Sequence, residues 1–184
     1  ELRSVGASLG SDALRSSLVA GLIGVILVMV NMILLYRLPG FVSCLALVAY
    51  TAIFGVVLAA TKITLSLPGI AGIILSVGMA VDSNVVIYER IKEELRTGKT
   101  LRASVQSGFN RAFTAILDAN VTTLIASVVL WNFGTGSVQG FAKTLFIGVV
   151  ISLFTALVVT RILLNAFVAF KVSPKLFGAA KKTV

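Results

Sequence analysis

The sequence predicts an all-α membrane protein, a bundle of five transmembrane helices with a cytoplasmic helical hairpin between the third and the fourth. Three observations lead there. Of 184 residues, 58% are hydrophobic and only 12% charged, where soluble domains carry about 25% charged residues. The apolar residues gather into five runs, each near the ~20 residues a spanning helix needs. The basic residues lie in clusters between these runs.

Composition also removes several classes of function. The net charge is +9, but no basic face with interleaved aromatics accompanies it, so nucleic acid is not an expected partner. Histidine is absent and Cys44 is the single cysteine, within an apolar run. No metal site, disulfide or cofactor is expected, and no catalytic residue is assigned. The stretch "TGKT" at 97–100 resembles the end of a phosphate-binding loop. That motif needs a glycine at position 93, which is Glu93, and a preceding strand. Enzymatic nucleotide hydrolysis is therefore not expected.

The elements follow in order. Residues 1–16 form a periplasmic lead-in, in which "SLGSDALRSS" predicts a short helix with Ser11 as its N-cap. The bundle covers 17–170, with spans at about 17–36, 41–60, 67–88, 112–131 and 144–170. Pro39 and Gly40 break the chain after the first span. The third span runs down to Tyr88, placed at the membrane interface, and the charged loop 89–111 follows. In that loop a helix continues to about Thr97, with Gly98 suited to a left-handed C′ position. Thr100 caps a second helix whose Leu101, Val105 and Phe109 recur every four residues, which makes it amphipathic, lying on the membrane or against the bundle. The competing reading of 89–111 is a solvated charged connector. A basic tail, 171–184, closes the chain.

Orientation comes from the Lys and Arg distribution. Eleven (Arg37, Arg90, Lys92, Arg96, Lys99, Arg102, Arg111, Lys171, Lys175, Lys181 and Lys182) fall on one side, and four (Arg3, Arg15, Lys62 and Lys143) on the other. The 89–111 loop and the tail are thus expected in the cytoplasm and the N-terminus outside. An outside N-terminus must be translocated, yet residues 1–16 hold no signal sequence and the chain begins at Glu1. The expectation is a piece of a longer protein with at least one earlier span. Arg161 falls inside the last span, where it either snorkels or pairs with a carboxylate.

Two acids lie within spans, Asp82 and Asp118. A charged aspartate at a span centre costs about 3 kcal/mol, and such groups face a bundle interior or a water-filled path. Asp82 is fifteen residues into the third span, or about 22 Å. Asp118 is six residues into the antiparallel fourth, or about 9 Å from the cytoplasmic edge, so the two sit at similar depth. Asn84 neighbours Asp82. Asp118 and Thr122 share one helix face, Asn120, Thr123 and Ser127 another. Low dielectric favours the neutral form of a carboxyl group, which suits a group that exchanges protons near neutral pH. The alternative is that these side chains, with Ser76 and Ser152, are interhelical glue. Gly69, Gly72 and Gly78 permit close helix approach.

Long stretches of the chain resemble a known family. "LPGIAGIILSVGMAVDSNVVIYERIKEELRTGK" (67–99) closely resembles the fourth transmembrane helix and following loop of the SecD half of the SecD/SecF family. "ILDANVTTLIASVVLWNFGTGSVQGFAKTLFIGVVISLFTAL" (116–157) resembles its fifth and sixth helices, and "VGASLGSDALRSS" (5–17) the lead into its second. The resemblance implies half of a pseudo-symmetric bundle of the resistance–nodulation–division type in the bacterial inner membrane. It implies an accessory role in Sec-dependent protein export driven by the proton motive force. It implies Asp82 as the proton-responsive carboxylate, with Asp118, Asn120 and Thr123 of "LDANVTT" close by. It implies a first helix and a large periplasmic domain before Glu1. Implied partners are SecF, the SecYEG translocon, YajC, lipid, and the translocating preprotein through that external domain. Half of a small-molecule efflux pump of the same superfamily and a structural membrane scaffold are the alternatives.

Overall fold

A computed structural model of the chain describes residues 7–63 and 66–169. The basic tail expected from 171 onward lies outside the described residues. Helix α1 covers Ala7–Tyr36, α2 Leu38–Thr61, α3 Leu67–Arg96, α4 Leu101–Phe133 and α5 Ser137–Phe154. A π-helical turn, Thr155–Val159, joins α5 to α6, Thr160–Ala169. The last three elements run on as one rod, so five helices are long and apolar enough to cross a membrane. With no water in the bilayer core, a helix is the local solution for an apolar run because it bonds its own backbone.

Local chemistry sets the ends. Gly40 is required between α1 and α2, because a Cβ there would lie 2.1 Å from the Met32 carbonyl oxygen. Ser66 caps α3 by accepting the Gly69 N–H at 3.2 Å, with Pro68 in the first turn. Gly98 takes φ +88° just after α3, and Thr100 caps α4 by accepting the Ala103 N–H at 3.4 Å.

Several boundaries differ from the sequence reading. The lead-in helix and the first span are one helix, so Ser11 lies inside α1 rather than at its start. The last helix begins at Ser137, which shortens the preceding connection. The 89–111 segment is two helical extensions joined by a four-residue turn, 97–100, and not a solvated connector. Its amphipathic half is the first three turns of α4, with Val105 and Phe109 buried. Gly108 lies against Ile91, where a Cβ would come 2.6 Å from the Ile91 side chain and 2.9 Å from its backbone nitrogen. Hydropathy could not see this because both helices outlast the membrane: α3 has 30 residues, or about 45 Å, where the hydrocarbon is about 30 Å thick.

Helix α3 is central, and its tightest neighbour is α5. Added Cβ atoms would meet Thr144 Oγ1 at 2.5 Å from Gly72, and Ser76 at 2.4 Å from Gly148. Gly140, Thr144, Gly148 and Ser152 recur every fourth residue on α5, so one face is small enough for backbones to approach. The Thr144 hydroxyl lies 3.0 Å from the Gly69 carbonyl oxygen across this contact. Tyr50 of α2 reaches in and donates to Ser76 Oγ at 2.7 Å. Tyr88 is buried in the core rather than at the interface, and accepts from Ser43 Oγ at 3.1 Å. Helix α1 covers little of this core. Met32 and Tyr36 are buried, while Leu22, Leu27, Leu34 and Leu35 are more than 60% exposed, as a membrane-facing helix requires.

Candidate functional site

Asp82 lies on the outward side of α3, exposed on this chain's surface and not inside the five-helix bundle. It lines an open groove of about 150 Å³ between α3 and α4. Met79 and Val86, one turn before and after it, share that wall with Ser83. The facing wall is α4: Ala115 and Ala119 on one row, Ile116, Asn120 and Thr123 on the next. The alanines leave space in front of the carboxylate, and Asn120 and Thr123 supply polar groups. Asn120 is held in place, donating from Nδ2 to the Ile116 carbonyl at 2.7 Å. Ser83 donates to the Met79 carbonyl at 3.1 Å. Among the described residues no cation pairs with Asp82 or Asp118.

The structure divides the sequence-selected residues into separate places. Asn120 and Thr123 join Asp82 in the groove. Asp118 and Thr122 are exposed, and neither lines the groove, although Asp118 is next to Ala119. Asn84, two residues from Asp82, points into the protein: it is 4% exposed, and its Oδ1 accepts from Thr160 Oγ1 at 2.8 Å. Gly69 and Gly72 sit at the α3–α5 contact, whereas a Cβ on Gly78 would meet nothing within 4 Å. Gly78 therefore makes no close helix contact among the described residues. Arg161 does not pair with a carboxylate among the described residues. Its guanidinium carbon lies 5.9 Å from the Phe109 ring centroid, beside the hairpin end of α4.

Three structural groups escaped the sequence reading. Thr160 carried no signal, since a threonine in an apolar run has no visible partner. The four-residue recurrence of Gly140, Thr144, Gly148 and Ser152 was a readable signal for the α5 contact face. Glu94 reads as a solvated loop acid, yet it is 1% exposed. It pairs with Lys99 and, at 2.9 Å, with Arg111.

Comparison with known proteins gives this geometry a family. The family described as protein export membrane protein SecD/SecF, C-terminal, matches residues 1–169. The chain belongs to the SecD/SecF family.

Among SecD/SecF proteins, the protein translocase subunit SecD of Synechocystis sp. is 54% identical over 181 residues, covering 96% of this chain and 38% of that protein. The SecD subunit of Acidaminococcus fermentans is also 54% identical over 181 residues, covering 97% of this chain and 43% of its own length. The chain thus spans about two fifths of the curated relatives it matches. The crystal structure of SecDF from Thermus thermophilus, described as a translocon-associated membrane protein, superposes with a TM-score of 0.87 at 41% identity, over 90% of this chain and 23% of that one. SecDF in its super-membrane-facing form gives 0.82 at 41% identity, over 88% and 22%. The chain is accordingly a multi-pass membrane protein with a SecD/SecF-type helical fold.

Proposed function

We propose that this chain is the membrane-embedded part of a SecD-type accessory subunit of the Sec export machinery, and that Asp82 couples it to the proton motive force. The observation that carries the reading is the placement of Asp82: a carboxylate within a span, unpaired among the described residues, opening into a groove with Asn120 and Thr123 in a chain of the SecD/SecF family. On a helix face that must meet membrane or a partner, a charged carboxylate needs water or a polar group beside it, whereas a neutral one can lie against apolar surface. Its two protonation states then favour different packings of α3 against α4 and its neighbours. In the orientation given by Lys and Arg, with the hairpin cytoplasmic and the chain in the bacterial inner membrane, the α1 end leads to an external domain, through which the motion acts on the secreted chain. The exposed face of α3 around Asp82 suits a pseudo-symmetric SecF half. SecYEG, YajC and the preprotein are the further partners of this reading.

The test is Asp82→Asn in the full-length protein with its partner, with proton-gradient-dependent export as readout. Export is expected to fall to the level without the gradient. Asp118→Asn, outside the groove, is expected to keep most of it. Undiminished gradient dependence in Asp82→Asn overturns the reading.

A further inference from the structure

A second groove, of about 560 Å³, lies between the start of α4 and α6 at the hairpin end of the bundle. Arg102 and Gln106 line it from α4, Arg161 and Asn165 from α6, and Phe109 and Val168 add apolar walls. Among the described residues no carboxylate lines it. The acids of the hairpin are engaged elsewhere: Glu89 with Lys92, Glu93 with Arg90, and Glu94 with Lys99 and Arg111. Among the described residues neither Arg102 nor Arg161 has an ion-pair partner, and the only charged side chains of residues 170–184 are lysines.

Two guanidiniums lining one cavity repel each other, and among the described residues neither has a counter-charge. A phosphodiester supplies it, since its oxygens match the planar guanidinium fork. The Arg161 guanidinium carbon lies over the Phe109 ring, 5.9 Å from its centroid, a cation–π placement that keeps the charge on this side of the cavity. Gln106 and Asn165 carry carboxamides that donate to ester or glycerol oxygens. The level is also right: Phe109 is three residues before Ala112, the expected edge of the fourth span, so polar and apolar walls meet where headgroups lie. A free phosphate ion would leave the Val168 and Ala169 walls unused. Basic pockets between helices on the cytoplasmic side suit anionic headgroups.

We propose that this groove binds an anionic phospholipid, with Arg102 and Arg161 holding its phosphate and Val168 and Ala169 meeting the start of an acyl chain. The inference uses the proposed orientation only to assign the leaflet, the cytoplasmic one. The full-length protein in detergent is to be incubated with phosphatidylglycerol or phosphatidylcholine and retained lipid counted by native mass spectrometry. Phosphatidylglycerol is expected to be retained over phosphatidylcholine, and the Arg102→Gln/Arg161→Gln double variant to lose roughly tenfold in affinity. Lys143→Gln, at the opposite end, is expected to retain it. Because the double variant can fail on folding grounds, a photoreactive phosphatidylglycerol is also cross-linked to the wild-type protein and mapped, with peptides 101–109 and 161–168 as the expected sites. Equal retention of the two lipids, full retention by a folded double variant, or cross-links only elsewhere overturns the proposal. Displacement of the lipid by millimolar inorganic phosphate makes the site one for free phosphate and overturns it equally.

Discussion

Thr160 Oγ1 donates to Asn84 Oδ1 over 2.8 Å, joining the middle of α3 to the end of the π-helical turn. Both side chains are buried. The bond lies two residues from Asp82 but on the other side of α3, so it ties the helix that carries the groove to the α5–α6 rod. A π turn disturbs the regular backbone ladder, and such turns recur at functional sites.

Removing one partner of this pair leaves a buried polar group unsatisfied, at about 1–3 kcal/mol. Asn84→Leu and Thr160→Val are each expected to destabilise by that amount. The double variant is expected to lose less than the sum, with a coupling near 0.6 kcal/mol and at most about 1.7. A double-mutant cycle on the unfolding midpoint in mixed micelles measures this. A coupling of zero means that the bond does not form.

The α3–α5 contact makes a sharper prediction. A Cβ on Gly148 would fall 2.4 Å from the Ser76 side chain, and one on Gly72 2.5 Å from Thr144 Oγ1. Gly148→Ala is expected to force the helices apart at about 1–3 kcal/mol, and Gly72→Ala to behave alike. Gly78→Ala has open space, and the gain from replacing a helix glycine, about 0.5–1 kcal/mol, is the expected sign. Thermal stability of the three variants in one detergent checks the order.

The hairpin carries a pH signature. The Lys99 hydrogen bond holds the Glu94 carboxyl below the usual range; burial opposes this, and the Arg111 charge adds to it. A carboxyl depressed in the folded state contributes stability above its unfolded value, near 4.3, and loses that contribution as pH falls through the lower folded value. Glu94→Gln is therefore expected to lower the melting temperature at pH 7. The gap from wild type should stay constant down to about pH 5 and close at more acidic pH. A gap that persists at pH 2 rules out the ion pairs as its source.

These sites show how far the chain was legible. Ser66, Gly98 and Thr100 are recognisable in the sequence because caps and left-handed turns depend on residues a few positions apart. The Asp118–Thr122 and Asn120–Thr123 faces were also separable, since helical spacing divides them. The burial of Glu94 is not legible in the sequence because Arg111, which pairs with it, is 17 positions on and meets it only once the hairpin closes. Arg161 was placed within the last span because apolar residues continue to Phe170. Its place beside Phe109, 52 positions earlier, exists only in the fold.

By itself, then, the sequence determined that this protein is five apolar helices with a charged hairpin, and where most of the helices begin and end. The reason is that hydrocarbon leaves each segment to bond its own backbone, a decision made within about 20 residues. The tertiary structure decided the azimuth of each helix. The side of α3 that meets α5 carries Gly69, Gly72 and Ser76, small residues and not its most apolar ones, so hydropathy does not mark that side. That choice fell to the close fit of Gly69, Gly72 and Ser76 against Thr144 and Gly148, and it turned Asn84 inward and left Asp82 facing out.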